Sequence, residues 1–322
     1  MRCVVYTGVG GPEVVAVEDR PDPEPAKFEV VIAPAFAGLN PADVLQREGR
    51  HPVPPGSPTD IPGLEVAGAV VAVGAAVTAF AVGDRAMGLV GGGGLATRVV
   101  ANERELAAVP DALDDAQAAA VPEAFVTAFD AVVLQAGLTA GDILLVNGAS
   151  GGVGTAAVQI GRALGAHVIA NVRSERLRPA VAALGAEALA AEQAFQRAVE
   201  LGGADVILEL VGGPHMADNI VALGRRGRLI VVGSKPGEEV SLPLRDLMTK
   251  RAHLIGTSLR TRPPEQKGQL MQAFAHRIVP LLAAGTIAPL VDRTFAMDDV
   301  VAALDAVRAP GKLGKLLLEM PV

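Results

Sequence analysis

The run DILLVNGASGGVGTAAVQIGRALGAHVIANVRSERLRPAVAALGA at 142–186 decides the fold. Ile143 to Val146 is apolar without polar alternation, as in a strand covered on both faces of a parallel sheet. Gly148 to Gly154 breaks it. From Gly152 to Leu164 the residues Val153, Ala156, Ala157, Ile160 and Leu164 recur at three- and four-residue intervals, which makes one face of a helix. His167 to Ala170 opens a second strand, and a second helix follows. Such a unit seats a pyrophosphate in its first turn. Gly151 lets the backbone approach the anion, Gly154 lets the helix pack closely on the strand, and the open amides of the helix N-terminus face the charge. Ala149 stands where the first glycine of G-x-G-x-x-G is expected, so the flanking strands and helix carry the reading more than the hexad does. No Gly-Lys-Ser/Thr follows, which argues against a Walker-type site.

A chain of 322 residues has room for two domains with separate cores. Half of the residues are hydrophobic but only 3% are aromatic, so the cores are expected to be built from Ala, Val and Leu. The formal charge of −7 and the lack of a basic cluster argue against a nucleic-acid surface and favour small-molecule chemistry. Cys3 is the only cysteine, which rules out an intrachain disulfide and fits a reducing cytoplasm. The start MRCVVYTGVGGPE has no apolar stretch long enough for a secretory signal. Val66 to Gly83 approaches the length of a bilayer span, yet Gly68, Gly74 and Gly83 interrupt it, and Val71, Val73 and Val77 suit short twisted strands. No membrane segment is expected.

Residues 1 to about 110 alternate Val-rich runs with Pro/Gly turns, an all-β pattern, in RCVVYT, EVVIAPAF, VAGAVVAVG, DRAMGLV and LATRVVA. From Ala116 the pattern turns helical and then alternates strand and helix, with strands at 142–147, 167–171, 205–210, 228–233 and 253–257. The fold class is therefore α/β with a doubly wound parallel sheet. A long helix near 265–284 and a closing strand at Lys315–Glu319 return to the first domain. The expected division is 1–122 with 260–322, and 123–259.

Several motifs together resemble the zinc-independent quinone oxidoreductases of the medium-chain dehydrogenase/reductase superfamily, nearly end to end. They are GGPEV at 10–14, LNPADVLQREG at 39–49, IPGLEVAG at 61–68, GDRAMGL at 83–89, VPEAFVTAFDAV at 121–132, the turn at 148–154 and GKLLLE at 314–319. The proline-rich loop after Asn40, the glycine loop at 91–94 and SLRTR at 258–262 are most similar to the tumour-suppressor-inducible subgroup. The resemblance implies a GroES-like, partly open β-barrel catalytic domain with an inserted Rossmann domain, and nicotinamide in the cleft between them. It also implies a homodimer joined through the last strands of two Rossmann sheets. Zinc members carry a cysteine and a Gly-His-Glu histidine, whereas this chain has Gly63-Leu64-Glu65 and no four-cysteine lobe. Histidines 51, 167, 215, 253 and 276 show no metal-ligand spacing, so no metal is expected.

An NAD-preferring Rossmann domain presents an acid at the end of its second strand, where this chain has Asn171. Arg173, Ser174 and Arg176 follow as donors for a 2′-phosphate, which points to NADPH; the bland alternative is a solvated helix start with Glu175 as a local partner. The cofactor set is completed by Ser150, Gly151, Gly152, Val153 and Gly154 in the turn. Val232, Gly233, Ser234, Ser258, Leu259 and Lys315 join it on the resemblance. Asn40 and Asp43 are either a polar pair at the mouth of the cleft or caps of the helix that follows. Thr127 is either a neighbour of the nicotinamide ribose or a helix threonine bonded to its own backbone. His51 stands where related reductases carry tyrosine, and is either a proton donor or an exposed loop histidine. The glycine loop at 91–94 precedes a strand rather than a helix, and is read as a barrel turn that shapes the substrate pocket. The resulting reading is an NADPH-dependent oxidoreductase that passes hydride to a quinone, enone or similar conjugated carbonyl. Its rivals are an enoyl-thioester or alkenal reductase and a non-catalytic NADPH-binding protein.

Overall fold

A computed structural model describes residues 1–233 and 238–321. Two compact units divide it, Met1–Val126 with Leu259–Val322, and Thr127–Ser258.

In the first unit β1 (Arg2–Tyr6) and β2 (Val15–Asp19) form a hairpin, followed by β3 (Glu29–Ala33) and β4 (Phe36–Leu39). The short helix α1 (Pro41–Arg47) comes next, then β5 (Glu65–Val73), β6 (Arg85–Leu89), β7 (Val99–Asn102), β8 (Leu106–Ala108) and α2 (Asp115–Ala119). Five of these strands make an antiparallel sheet in the order β7-β3-β5-β6-β8. Its core is the aliphatic set the composition requires, with Val30, Ile32, Val66, Val70 and Leu106 buried together. Val66 to Gly83 is most of β5 and the turns after it. Among the described residues no helix is long and apolar enough to cross a membrane. The π-type turn Pro122–Val126 packs on β5 and β6, which puts these residues with the first unit rather than the second.

The second unit begins with α3 (Thr127–Phe129), which runs into a further π-type turn, Asp130–Gln135. Then follow β9 (Ile143–Asn147), α4 (Gly152–Ala163), β10 (His167–Asn171), α5 (Arg178–Ala182), β11 (Glu187–Leu189) and α6 (Ala191–Glu200). The unit ends with β12 (Ala204–Glu209), α7 (Met216–Ala222), β13 (Leu223–Val231), α8 (Leu244–Lys250) and β14 (His253–Gly256). All strand pairs are parallel, in the order β11-β10-β9-β12-β13-β14. Numbered within the unit this is 3-2-1-4-5-6, the doubly wound dinucleotide-binding order, whose switch point falls between β9 and β12. Leu145, Ile169, Ile207 and Leu229 bury one face of the sheet.

The chain then returns to the first unit through α9 (Pro264–Arg277), α10 (Val279–Ala283), β15 (Val291–Ala296), α11 (Val300–Arg308) and β16 (Lys315–Glu319). The single long helix expected near 265–284 is two helices, because Pro280 in the first turn of α10 has no N–H to continue the ladder. Strand β16 lies between β15 and β4. This pairing carries Lys315 to the end of β4.

Candidate active site

In the second unit the turn at 148–154 joins β9 to α4 at the switch point. Gly148 has φ +76, and a Cβ on Gly154 would meet the Gly148 carbonyl oxygen at 2.4 Å and Ala149 Cα at 2.6 Å. Gly154 is therefore required for the helix to sit this close. Gly151 caps α4 with no side-chain hydrogen bond, and its Cβ position faces open space apart from the Gly148 oxygen at 3.7 Å. The first-turn amides of α4 are left to an external acceptor, which is the arrangement a pyrophosphate fits. Ser150, Gly151, Gly152 and Val153 are half-buried around that space.

Below the turn lies a buried polar lock that sequence reading missed. Glu209, at the end of β12, accepts from Asn147 Nδ2 at 2.8 Å and Asn219 Nδ2 at 2.7 Å through one oxygen. Its other oxygen accepts from the amides of Val211 and Gly212. Asn147 in turn accepts from Asn171 Nδ2 at 2.9 Å. The Asn171 amide group, expected at the cofactor, thus spends a donor on tying the ends of β10 and β9 together. Arg173 and Arg176 are exposed and Ser174 half-buried on the loop after β10, and Arg178 Nε holds that loop by donating to the Val172 carbonyl at 3.2 Å. The amides of Val232 and Gly233 both donate to the Glu209 carbonyl. Ser234 lies outside the described residues. Ser258 is exposed just beyond β14, while Leu259, the next residue, is buried in the first unit. Thr127 is 6% exposed and its hydroxyl has no hydrogen-bond partner among the described residues, so the self-bonded helix threonine is not what is seen.

In the first unit, a second polar cluster gathers residues far apart in sequence. Glu65 is 1% exposed and Lys315 5%. The Lys315 ammonium donates to Glu65 Oε1 at 2.6 Å, to Asn40 Oδ1 at 2.6 Å and to the Leu39 carbonyl at 3.1 Å. Those bonds use all three of its donors, so Lys315, grouped with the cofactor residues on resemblance, serves here as the counter-ion of Glu65. Asn40 Nδ2 also donates to Glu65, and the second Glu65 oxygen accepts from the Glu123 amide at 2.8 Å. Gly38 makes room for this carboxylate, since a Cβ there would lie 2.1 Å from Glu65 Oε1. Asp43 accepts from the Asn40 amide at 2.8 Å, capping α1, while its Oδ1 has no partner among the described residues. The capping reading of the Asn40 and Asp43 pair is therefore seen in the contact from the Asn40 amide to Asp43. Asp43 caps the helix, and Asn40 points into the cluster.

The electrostatics follow from the count of charges. Asp43, Glu65 and Glu123 face Lys315 and Arg260, three carboxyls against two cations. Burial, opposed by the Asn40 amide and Lys315, pushes Asp43 up to about 6. Burial, reinforced by Glu65 and Asp43, pushes Glu123 up to about 7. His51 moves the other way, because burial and then Arg260 disfavour the imidazolium.

A cavity of about 720 Å³ opens within this unit. Its walls include the proline loop at 52–58, the glycine loop at 91–93, and Arg98, Arg260, Arg262 and Lys267, with Glu29 and Glu105 as the acidic members. The size is in the range of small-molecule sites. Gly91 allows the two loops to touch, since a Cβ there would meet Ser57 Oγ at 2.1 Å. His51 precedes the proline wall and is half-buried, but is not part of the lining.

Against known proteins, residues 26–111 match the alcohol dehydrogenase GroES-like domain and residues 152–276 the zinc-binding dehydrogenase domain. Quinone oxidoreductase of Sus scrofa is 33% identical, covering 96% of this chain and 94% of its own. The chain belongs to the quinone oxidoreductase family. Among solved structures, an NAD-dependent alcohol dehydrogenase is 29% identical with a TM-score of 0.88, each chain fully covered. Mycobacterial Rv1454c complexed with NADPH is 27% identical with a TM-score of 0.86, over 99% of this chain and all of its own. This member of the family is an oxidoreductase of the medium-chain superfamily, α/β with a GroES-like and a Rossmann domain. The match to a zinc-binding domain model does not bring the ligands with it. Leu64, 3% exposed, occupies the histidine position, and among the described residues no group of three His, Cys, Asp or Glu could hold a metal.

Proposed function

We propose that this chain is an NADPH-dependent quinone oxidoreductase, a cytoplasmic homodimer that needs no metal. The observation that carries it is the uncapped turn at 148–154, set at the switch point of the parallel sheet, in a chain that matches quinone oxidoreductases over its full length. Ser150 to Gly154 would hold the pyrophosphate, and Thr127, with its unpartnered hydroxyl, would bond the nicotinamide half. Arg173, Ser174 and Arg176 would receive the 2′-phosphate, with no carboxylate at Asn171 to repel it. The bound nicotinamide supplies a hydride. The protein's own part is to align the acceptor, exclude water and provide a proton.

The cavity beside the proline and glycine loops is the acceptor site in this reading. Its four basic lining residues against two acidic ones also favour a second reading, reduction of an enoyl thioester, whose phosphates would meet that wall. Steady-state NADPH oxidation against quinones, enals and enoyl thioesters separates the two. Turnover with quinones is expected to exceed that with thioesters in kcat/KM, and the reverse order would transfer the chain to the thioester reductases.

A further inference from the structure

Two cations of the acceptor cavity are buried without the partners that buried charges need. Arg260 and Lys267 are each 7% exposed, and both line the cavity. Lysine and arginine are rarely covered to this extent unless they are paired. The Lys267 side chain makes no hydrogen bond or ion pair among the described residues, and the two acids of the cavity, Glu29 and Glu105, are not bonded to it. Arg260 Nη2 donates to Gln46 Oε1 at 2.5 Å and to the Gly91 carbonyl at 3.0 Å, while Nε and Nη1 have no acceptor among the described residues.

The packing builds this burial in. Helix α9, which carries Lys267, lies on the turn Glu103–Glu105 and on β8, and it lies close, since a Cβ on Gly268 would meet Arg104 Cβ at 3.3 Å. The stem of Lys267 is covered, yet its ammonium is not sealed off from solvent. Arg260, the turn through Pro263 and Pro264, and Lys267 belong to one stretch of the cavity wall. Helix α9 starts in that stretch with no side-chain cap, so its N-terminal partial charge has the sign of the two cations. Taking charge and N–H groups out of water is costly unless an opposite charge and acceptors replace it. What completes this wall is a negatively charged oxygen group. The phosphates of a coenzyme thioester are bulky and strongly hydrated and suit an open rim, whereas cations buried in a cavity of about 720 Å³ suit a compact carboxylate on the acceptor itself.

We propose that the acceptor is a quinone or enone that carries a carboxylate, and that Lys267 and Arg260 bind that group. The proposal rests on the quinone reductase reading and narrows its substrate class from conjugated carbonyls at large to anionic ones. The conjugated carbonyl takes the hydride, and the carboxylate is unchanged by the reaction. Its contacts are therefore equal in the ground state and the transition state, so they act on KM more than on kcat.

The test compares 3-(1,4-naphthoquinon-2-yl)propanoate with its methyl ester, two acceptors that share a ring and differ in charge, at saturating NADPH. The wild type should favour the acid in kcat/KM by about tenfold or more, the size of one charge-assisted hydrogen bond, and the difference should lie in KM. The ratio of acid to ester should fall towards one in Lys267→Met and in Arg260→Gln, and Lys267→Arg should keep it. Equal wild-type values for acid and ester overturn the proposal and leave the quinone reading in place. A preference that survives in both Lys267→Met and Arg260→Gln overturns the assignment to this wall. Calorimetric titration of the wild type with 3-(2-naphthyl)propanoate and with its methyl ester gives the same contrast without turnover, and the acid should bind about tenfold more tightly. A wild type that reduces neither quinone but binds the naphthyl acid in preference to its ester would remove the quinone reading and keep the carboxylate site. One that reduces neither and binds acid and ester alike overturns both.

Discussion

Asp43 and Glu123 both hold their protons more tightly folded than unfolded, burial being the main cause in each. The linkage has a definite sign. A carboxyl with a raised folded pKa favours the fold below its unfolded value, and that contribution is lost as pH rises through the folded one. Stability should therefore decline between pH ~4 and pH ~7, and Glu123→Gln should flatten the decline, gaining on the order of 2 kcal/mol at pH ~8. Urea unfolding across that range checks it, and an unchanged slope would mean that Glu123 ionises normally. A second residue-scale prediction concerns the loop after β10. Arg173 makes no hydrogen bond or ion pair among the described residues, so a phosphate would not have to displace a partner. One charge-assisted contact contributes about 1.5–3 kcal/mol, enough for roughly tenfold preference for NADPH over NADH. Titration of both cofactors with the wild type, Arg173→Ala and Arg176→Ala measures this, and equal wild-type affinities would remove the NADPH assignment.

Elements were more legible than their tertiary partners. The strand, turn and helix at 143–163 announce themselves because every signal is local: an apolar run, then glycines, then a three-to-four spacing. The short strand β11 and the break at Pro280 escaped because three residues and one missing amide leave little periodicity to read. The polar clusters escaped for a different reason. Lys315 and Glu65 are 250 residues apart, and Arg260 and Gln46 are 214 apart. Tertiary packing alone brings them together; for Lys315 it is the docking of β16 on β4 that sets it beside Asn40. The sequence signals that were available were Glu65 in an otherwise apolar strand and Glu123 beside a helix that buries almost everything else. At this scale Glu209 offers a sharp test, because it fastens the ends of β9 and β12 beneath the phosphate turn. Glu209→Ala leaves Asn147, Asn219 and two backbone amides without their acceptor, and should cost about 3 kcal/mol or more in urea unfolding. Cofactor affinity should fall with it, since the turn rests on Asn147. A loss below ~1 kcal/mol would show that water replaces the carboxylate without penalty.

Assembly is the property of the whole molecule that the Rossmann sheet leaves open. Strand β14 pairs with β13 on one side and ends the sheet on the other. An edge with free backbone donors and acceptors invites another strand unless it is short, charged or covered. This edge carries Leu254 at 43% exposure, and the helix before it, α8, exposes Leu244 at 64% and Met248 at 75%. Apolar side chains beside an open edge are what an isologous two-fold contact would bury, β14 against β14 of a second copy. Sedimentation equilibrium should then give twice the 32.8 kDa chain mass. Leu254→Asp and Met248→Asp, which set like charges across the axis, should shift the protein towards the monomer without unfolding it. Because both positions are exposed within one chain, the variants should unfold in urea with the slope of the dissociated wild type. A wild type that sediments as a monomer, or variants that remain dimeric, would move the contact away from β14 while leaving the cofactor turn and the acceptor cavity as described.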